Sequence, residues 1–223
     1  MKKFPLQVAG HDLLLVSPDG KYVYKPATKK EIEFYEQAQQ YREFNRFIPE
    51  FKGITSSALE LENICYLMED SIICDIKIGR ILYDDDADDE KRTRMTKLSF
   101  STTSHSLGFR FTGILHPDGT FYGKDFGKSL TACTISKGFD ALFPHKNKDV
   151  ISKVIRELQA MKDAISSVNV QLCSCSVLIV QQLDKVKVKL IDFAHSKFTE
   201  LQSSNVDFIQ GLESLIENMK EIE

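Results

Sequence analysis

Two short stretches, Asp75-Ile76-Lys77-Ile78-Gly79 and Ile191-Asp192-Phe193-Ala194-His195, carry most of the information about the fold and chemistry of this chain. Each places charged residues in or at the end of an apolar stretch. A carboxylate or an ammonium is costly there unless a ligand or a metal uses it. A two-lobed phosphotransferase needs such a pair, namely a lysine for phosphate oxygens and an aspartate for a metal ion. Together, the two stretches favour that class of enzyme.

The first stretch alternates as a β-strand does. Residues two apart on a strand share a face, so Asp75 and Lys77 should project to one side and Ile76 and Ile78 to the other. One interpretation is a carboxylate and an ammonium that line a cleft. The other is a partly exposed ion pair on a sheet, and the strand considered alone favours this second interpretation.

The second stretch ends a strand, over 186–191, in which apolar residues alternate with lysines. Asp192 follows where the chain leaves the sheet, and from there a carboxylate can hold Mg²⁺ between nucleotide phosphates. It could instead only cap the following turn. His195, three residues later, is either a donor to an anionic substrate or a structural histidine in a turn.

Residues 1–70 have the order of elements expected of a kinase-type N-terminal lobe. Strands that end at Lys25 precede a helix over 28–47, and an apolar strand at 64–68 leads into a polar hinge. Lys25 and Glu31 repeat the relation of strand lysine to helix glutamate that positions ATP phosphates in kinases. Alternatively, Glu31 completes a capping box with Thr28, and Lys25 is solvated.

Residues 71–223 are predicted to form a larger C-terminal lobe. Its expected elements are a strand pair around the turn at 116–119, a helix over 148–168, strands at 176–180 and 186–191, and a helix over 205–220. The predicted fold class is therefore α+β, with two lobes that meet near residue 70 and antiparallel sheets in both.

Composition and charge exclude several other classes. The 223 residues are 42% hydrophobic and 27% charged, as in ordinary globular proteins, and no apolar run reaches the roughly 18 residues of a membrane span. The net charge of −3 argues against general nucleic-acid binding. Five scattered cysteines without a CxxC pair favour reduced thiols and a cytoplasmic or nuclear location. We expect a monomer.

An acidic run over 84–90 directly precedes a basic stripe formed by Lys91, Arg92, Arg94 and Lys97. A solvated helix with acids in its first turn explains this pattern. A basic surface that receives a small, highly anionic ligand explains it equally well. Charge alone leaves both interpretations open.

Taken together, these motifs resemble the inositol polyphosphate kinase family, whose hallmark is PxxxDxKxG. That hallmark corresponds here to residues 71–79, SIICDIKIG, with Ser71 in place of the proline. Further segments that resemble family motifs occur in the family's order and cover nearly the whole chain: QVAGH at 7–11, EIEFY at 31–35, TTS at 102–104 with SLGFR at 106–110, GKSLT at 127–131 and IDFAH at 191–195.

The resemblance implies a bilobal kinase-like fold, as in inositol polyphosphate kinases and SAICAR synthase, that uses ATP and Mg²⁺ to phosphorylate a soluble inositol polyphosphate. The implied roles are contacts with ATP at Lys25, Glu31, Glu69, Ser71, Asp75 and Asp192; metal ligation at Asp192; catalysis at Lys77 and Asp192; and substrate binding at Lys77, Lys91, Arg92, Arg94, Lys97, Lys128 and His195.

Within the family, Ala9 of the first motif is more like multikinases, which phosphorylate free hydroxyls of inositol tris- and tetrakisphosphates. One alternative is a hexakisphosphate kinase, which forms a pyrophosphate on an existing phosphate. Another is a non-catalytic module that binds inositol phosphates, although a binder need not keep the phosphate, metal and reaction-centre residues together. The chain departs from the family at the hinge, where the segment before Ser71 is also shortened.

Overall fold

The computed structural model describes residues 2–3, 14–56, 58–200 and 205–223, so the motif at 7–11 lies outside the described residues. In this part of the chain there are two five-stranded antiparallel sheets. The first has the order β1-β2-β3-β5-β4 and contains β1 (Lys2–Lys3), β2 (Leu15–Val16), β3 (Tyr22–Pro26), β4 (Phe51–Thr55) and β5 (Ala58–Glu62). The second has the order β11-β10-β6-β7-β8 and contains β6 (Ile72–Ile78), β7 (Phe109–Leu115), β8 (Phe121–Tyr122), β10 (Ser176–Gln182) and β11 (Lys185–Ile191).

A small antiparallel pair, β9 (Val170–Gln171) with β12 (Lys197–Phe198), lies apart from both sheets. The helices are α1 (Lys29–Ala38), α2 (Arg42–Asn45), α3 (Asp89–Phe100), α4 (Thr103–Leu107), α5 (Lys124–Ser129), α6 (Ser136–Leu142), α7 (Lys148–Ser166) and α8 (Val206–Lys220), with a 3₁₀ turn at Ala132–Thr134.

The predicted α+β class with an antiparallel sheet in each lobe is confirmed. The change from one sheet to the other falls between β5 and β6, and we propose to keep the lobe boundary near residue 70. The helix predicted at 148–168, the last helix and the paired strands β10 and β11 are also confirmed. The turn at 116–119 joins β7 to β8 as expected.

Two predictions for the N-terminal lobe are wrong. The helix predicted over 28–47 is interrupted between α1 and α2, where the ring of Tyr41 stacks on Phe198 with centroids 4.9 Å apart. The strand predicted at 64–68 is a run of turns, in which Leu67 has a φ of 62°. The apolar residues of this segment indicate burial rather than strand pairing. Ile64 and Met68 pack against Ile73 and Val180 of the second sheet.

Strand β6 carries the Asp75 and Lys77 motif through the middle of the second sheet, between β10 and β7. Ile76 and Ile78 are buried in the main core on one face, so Asp75 and Lys77 project from the other face, as the alternation predicts.

Helix α8 fixes the end of this strand through close backbone packing. The Asp207 carboxylate accepts hydrogen bonds from the N–H groups of Arg80 (2.8 Å) and Ile81 (2.9 Å). One helical turn later, a Cβ atom at Gly211 would lie only 2.3 Å from the Gly108 carbonyl oxygen. The position and direction of the chain after β6 therefore depend on a glycine in α8.

We expect Gly211→Ala to lower the free energy of unfolding by about 1–3 kcal/mol, because backbone atoms cannot yield to the added methyl group. In an exposed helix the same change would raise the free energy of unfolding by about 1 kcal/mol. Urea unfolding of the variant and of wild type measures the change in this free energy, with Gln210→Ala on the exposed side of α8 as the control. A variant as stable as the control would contradict the close packing.

Candidate active site

Lys25 of β3 lies at the centre of a charge cluster in which Lys25 and Glu31 are largely buried and Asp192 is partly exposed. Its Nζ is 2.7 Å from Glu31 Oε1 of α1 and 2.8 Å from Asp192 Oδ1, which follows β11. Thr28 Oγ1 accepts a hydrogen bond from the Glu31 N–H, so the backbone of Glu31 serves the helix cap while its side chain binds the lysine. The alternative of a solvated Lys25 is therefore wrong.

The charges in this cluster stabilise one another. Burial by itself lowers the pKa of Lys25, but the carboxylates of Asp192 and Glu31 outweigh it and raise that pKa above its ordinary value. Burial likewise opposes ionisation of Asp192, but Lys25 and then Lys77 hold the pKa of Asp192 below its ordinary value. At neutral pH Lys25 is therefore an ammonium and Asp192 a carboxylate.

Asp192 is held in a constrained turn. Its φ is 68°, a left-handed conformation that aspartate and asparagine tolerate better than most residues. The next residue fixes this turn against α1, because the Phe193 N–H donates to Glu31 Oε1 at 3.0 Å and the Phe193 ring stacks on Phe34 at 4.2 Å. The turn after β11 and helix α1 therefore position each other.

The polar face of β6 forms a second part of the site. Thr112 is the extra residue of a β-bulge in β7, and its hydroxyl lies 2.5 Å from Asp75 Oδ1. Lys77 donates to the Ser174 carbonyl at 2.6 Å. Burial and then the charge of Asp192 raise the pKa of Asp75, while Lys77 opposes that rise.

Arg110 of β7 is a residue of this face to which the sequence analysis assigned no role. It is the register partner of Lys77 and is only 8% exposed. Its Nη1 has no hydrogen-bond partner among the described residues, which is unusual for a buried guanidinium. The available signal was an arginine within the apolar strand at 109–115, the same kind of signal that singled out Lys77.

His195, three residues after Asp192, contacts Lys91 of α3. The imidazole Nδ1 lies 2.8 Å from Asp84 Oδ2, and Nε2 lies 3.3 Å from the Lys91 ammonium. Two of the predicted substrate-binding residues are thus neighbours, although they lie 104 positions apart in the sequence.

The other predicted cations have different environments. Arg92 donates to the carbonyls of Ala87 (2.7 Å) and Asp85 (2.5 Å), so it also braces the loop before α3. Arg94 and Lys97 are exposed along α3, and exposed Lys128 of α5 pairs with Asp125 at 3.2 Å. Acids occupy the first turn of α3, as the helix-dipole interpretation predicts. Binding of an anionic ligand by the basic residues farther along stays a prediction.

The predicted hinge residues lie between the two sheets. Glu69 is exposed in a turn, whereas Ser71 is only 3% exposed and directly precedes β6. An apolar cluster adjoins this connection and draws on both sheets: Ile64, Cys65, Met68, Ile73 and Val180, with Leu14, Val16, Val23, Leu115, Leu178 and Ile191 packed against it.

The fold has two antiparallel sheets, and a lysine on a strand of one sheet binds a helix glutamate and an aspartate at the end of the other sheet. This arrangement is that of kinase-like phosphotransferases. The family model of inositol polyphosphate kinase matches residues 58–220. An inositol polyphosphate multikinase of Schizosaccharomyces pombe is 33% identical over 90% of each chain. The chain therefore belongs to the inositol polyphosphate kinase family.

Two other similarities are informative. The crystal structure of inositol phosphate multikinase Ipk2 from S. cerevisiae, in complex with ADP and Mn²⁺, superposes with a TM-score of 0.82 at 27% identity. The match covers 91% of this chain and 99% of that one. Inositol hexakisphosphate kinase 3 of Mus musculus is 28% identical over 74% of this chain but only 50% of its own length. In the described part of the chain, no helix has the length and apolar character needed to cross a membrane.

We expect Lys25→Met to lower the free energy of unfolding by about 3 kcal/mol, because it leaves the buried Glu31 carboxylate uncompensated. Adding Glu31→Gln should recover part of the loss by removing that charge. Lys29→Met is the matched control, since the Lys29 side chain is 90% exposed and pairs only across the helix surface with Glu33. Equal urea midpoints for Lys25→Met and Lys29→Met would disprove the inferred role of the cluster.

A second prediction concerns the raised pKa of Asp75, whose ordinary value is 3.8. The native state binds this proton more tightly than the unfolded chain, so wild-type stability should fall as pH rises from that value through the native pKa. Asp75→Asn has no such proton and can still accept from Thr112. We therefore expect it to unfold at a higher temperature than wild type at pH 7.

Thermal melts between about pH 4 and pH 7 test this expectation. The difference in melting temperature between Asp75→Asn and wild type should grow with pH. Asp125→Asn, whose side chain is 99% exposed, should follow the wild-type profile. A difference that shrinks with pH would show that burial of ionised Asp75 does not destabilise the fold.

Proposed function

We propose that this protein transfers the γ-phosphoryl group of ATP to a free hydroxyl of a soluble inositol tris- or tetrakisphosphate. One observation carries the proposal. Asp192, bound to Lys25, and His195, adjacent to Lys91, lie three residues apart on the same turn. A cluster suited to nucleotide phosphates therefore adjoins a lysine and a histidine suited to a second phosphorylated ligand.

Lys25 would contact ATP phosphates, with Glu31 holding it in place. Asp75 would bind the ribose, and the backbone at Glu69 and Ser71 would contact adenine beside the apolar cluster. Lys77 would contact both the attacking hydroxyl and the transferring phosphoryl group. The hydroxyl oxygen then bonds to the γ-phosphorus as the bond to ADP breaks and the hydroxyl proton is released, a reaction that depends mainly on positioning and charge neutralisation.

The residues present fit a metal ion that arrives with the nucleotide. No group of three or more acidic, histidine or cysteine side chains in the described residues could hold a metal by itself. Mg²⁺ commonly uses one or two carboxylates together with phosphates and water, and Asp192 would supply the carboxylate. The bound ion neutralises charge on the phosphates.

The proposed substrate needs several fixed cations because it carries several phosphates. Lys77, Lys91 and His195 are the better-placed groups, and buried Arg110 adds a guanidinium beside Lys77 on the face of β6 and β7. The additional candidates are Arg92, Arg94, Lys97 and Lys128. We retain the predictions of a monomer, of a cytoplasmic or nuclear location and of no nucleic-acid partner.

Incubation with ATP, Mg²⁺ and a panel of inositol phosphates, followed by positional identification of the products, tests the proposal. We expect Lys77→Ala and Asp192→Asn each to lower kcat by at least about 100-fold, because each removes charge from the transfer site. Asparagine also tolerates the left-handed turn at position 192. Lys185→Ala, at an exposed strand end, should retain activity.

The outcomes separate the alternatives. Phosphorylation of hydroxyls in tris- and tetrakisphosphates supports the proposal, whereas a pyrophosphate formed only from hexakisphosphate would identify the other kinase activity. Calorimetric binding of an inositol phosphate without binding of ATP and Mg²⁺ would indicate a non-catalytic module. Full activity in both Lys77→Ala and Asp192→Asn would refute the assigned catalytic residues.

A further inference from the structure

Asp84 connects the proposed substrate site to the helix that carries Glu31. Its side chain is only 14% exposed, and Oδ2 accepts from His195 Nδ1 at 2.8 Å. The same oxygen lies 3.9 Å from the Lys30 ammonium of α1, which also binds Asp86. Asp84 is therefore fixed from two sides, by a histidine and by a lysine of the N-terminal lobe.

This contact determines what the other imidazole nitrogen can do. An imidazole that donates from Nδ1 to a carboxylate has a fixed ring orientation, and its Nε2 points away from that carboxylate. In His195, Nε2 points toward Lys91 Nζ, 3.3 Å away. With a proton on Nδ1 alone, Nε2 accepts from the Lys91 ammonium, so the residues form a hydrogen-bonded series from Asp84 through His195 to Lys91.

A phosphate group that approaches both side chains would replace the contact between them. With a proton on both ring nitrogens, His195 would donate from Nε2 and Lys91 from its ammonium to that phosphate, while the Asp84 carboxylate would still accept from Nδ1. Lys30 and Lys197 line the same cavity as the imidazole, where they pair with Asp86 and Asp85.

We propose that Asp84 is a positioning residue for substrate binding, which orients His195 so that Nε2 and the Lys91 ammonium together receive one phosphate group. The inference rests on the proposed function. It adds a residue from the acidic run, which the sequence analysis interpreted only as helix-dipole charge or as the neighbour of a basic stripe. Asp84 itself touches neither substrate nor ATP in this arrangement.

The neighbouring acid provides a matched control. Asp85 belongs to the same loop, but its side chain is 75% exposed and pairs with Lys197 at 3.6 Å rather than with His195. Asp85→Ala keeps the backbone carbonyl that accepts from Arg92. It tests the loss of one negative charge from the loop without loss of the contact to the imidazole.

The experiment compares wild type with Asp84→Ala, Asp84→Asn, His195→Ala, the double variant Asp84→Ala/His195→Ala and Asp85→Ala. It measures kcat, KM for inositol tris- and tetrakisphosphates, KM for ATP and the melting temperature. We expect Asp84→Ala to raise the inositol phosphate KM about tenfold, the loss expected for one charge-assisted hydrogen bond. The KM for ATP should stay within about twofold.

Two results distinguish positioning from a merely structural role. Asp84→Asn should recover part of the lost affinity, because an amide oxygen can still accept from Nδ1. The double variant should be no worse than His195→Ala, because Asp84 acts only through that histidine. An Asp84→Ala effect of full size in the His195→Ala background would overturn the proposal, as would equal behaviour of Asp84→Ala and Asp85→Ala or parallel rises in both KM values.

If Asp84→Ala does not fold, Asp84→Asn and Asp84→Asn/His195→Ala provide the same comparison. Wild-type protein that binds inositol phosphates without turning them over would refute the proposed function alone. Dissociation constants from calorimetry would then replace KM, and the same pattern among the variants would still support or overturn the role of Asp84.

Discussion

The structure depends on the burial of one ammonium group between two carboxylates. Lys25 has a side chain that is 17% exposed, and its neutralisation requires Glu31 from α1 and Asp192 from the turn after β11. These three residues come from a strand of the first sheet, a helix and the end of the second sheet, 167 positions apart at the extremes. A buried ion pair is weak evidence of net stabilisation, but breaking one is costly, so the cluster favours a single arrangement of the three elements.

Packing around the cluster reinforces this arrangement. Phe193 follows Asp192 directly, stacks on Phe34 and contacts the ring of Tyr35 edge-on, so the turn bearing the carboxylate is held by the helix bearing Glu31. In the strand that leads to Asp192, Lys189 donates to the carbonyls of Arg46 and Ile48, which follow α2. The predicted alternation of β11 is present, but Lys189 is less exposed than the pattern indicates, because its ammonium binds these carbonyls of the N-terminal lobe.

The sequence predicts the elements whose signal is local. Period-two alternation locates β6 and β11, and helical periodicity locates α7 and α8, because each pattern reflects one buried face. Strand β10 is recognisable instead as a short apolar run, SVLIV at 176–180. The strand predicted at 64–68 is wrong, because an apolar run indicates burial but contains no information about the backbone angle φ. Lys25, Lys77 and Asp192 were recognisable because each places charge beside apolar residues. The contact of Asp84 with His195 was not recognisable, because it joins side chains 111 positions apart.

Adjacent residues of α1 connect the two halves of the site. Glu31 points into the fold and binds Lys25, while Lys30 points along the surface to Asp84 and Asp86. A shift of α1 that lengthened the contact to Lys25 would therefore also alter the loop that positions His195. Glu31 and Lys30 are adjacent in α1, so one helical turn contributes a contact to the charge cluster around Lys25 and a contact to the acidic loop that holds His195.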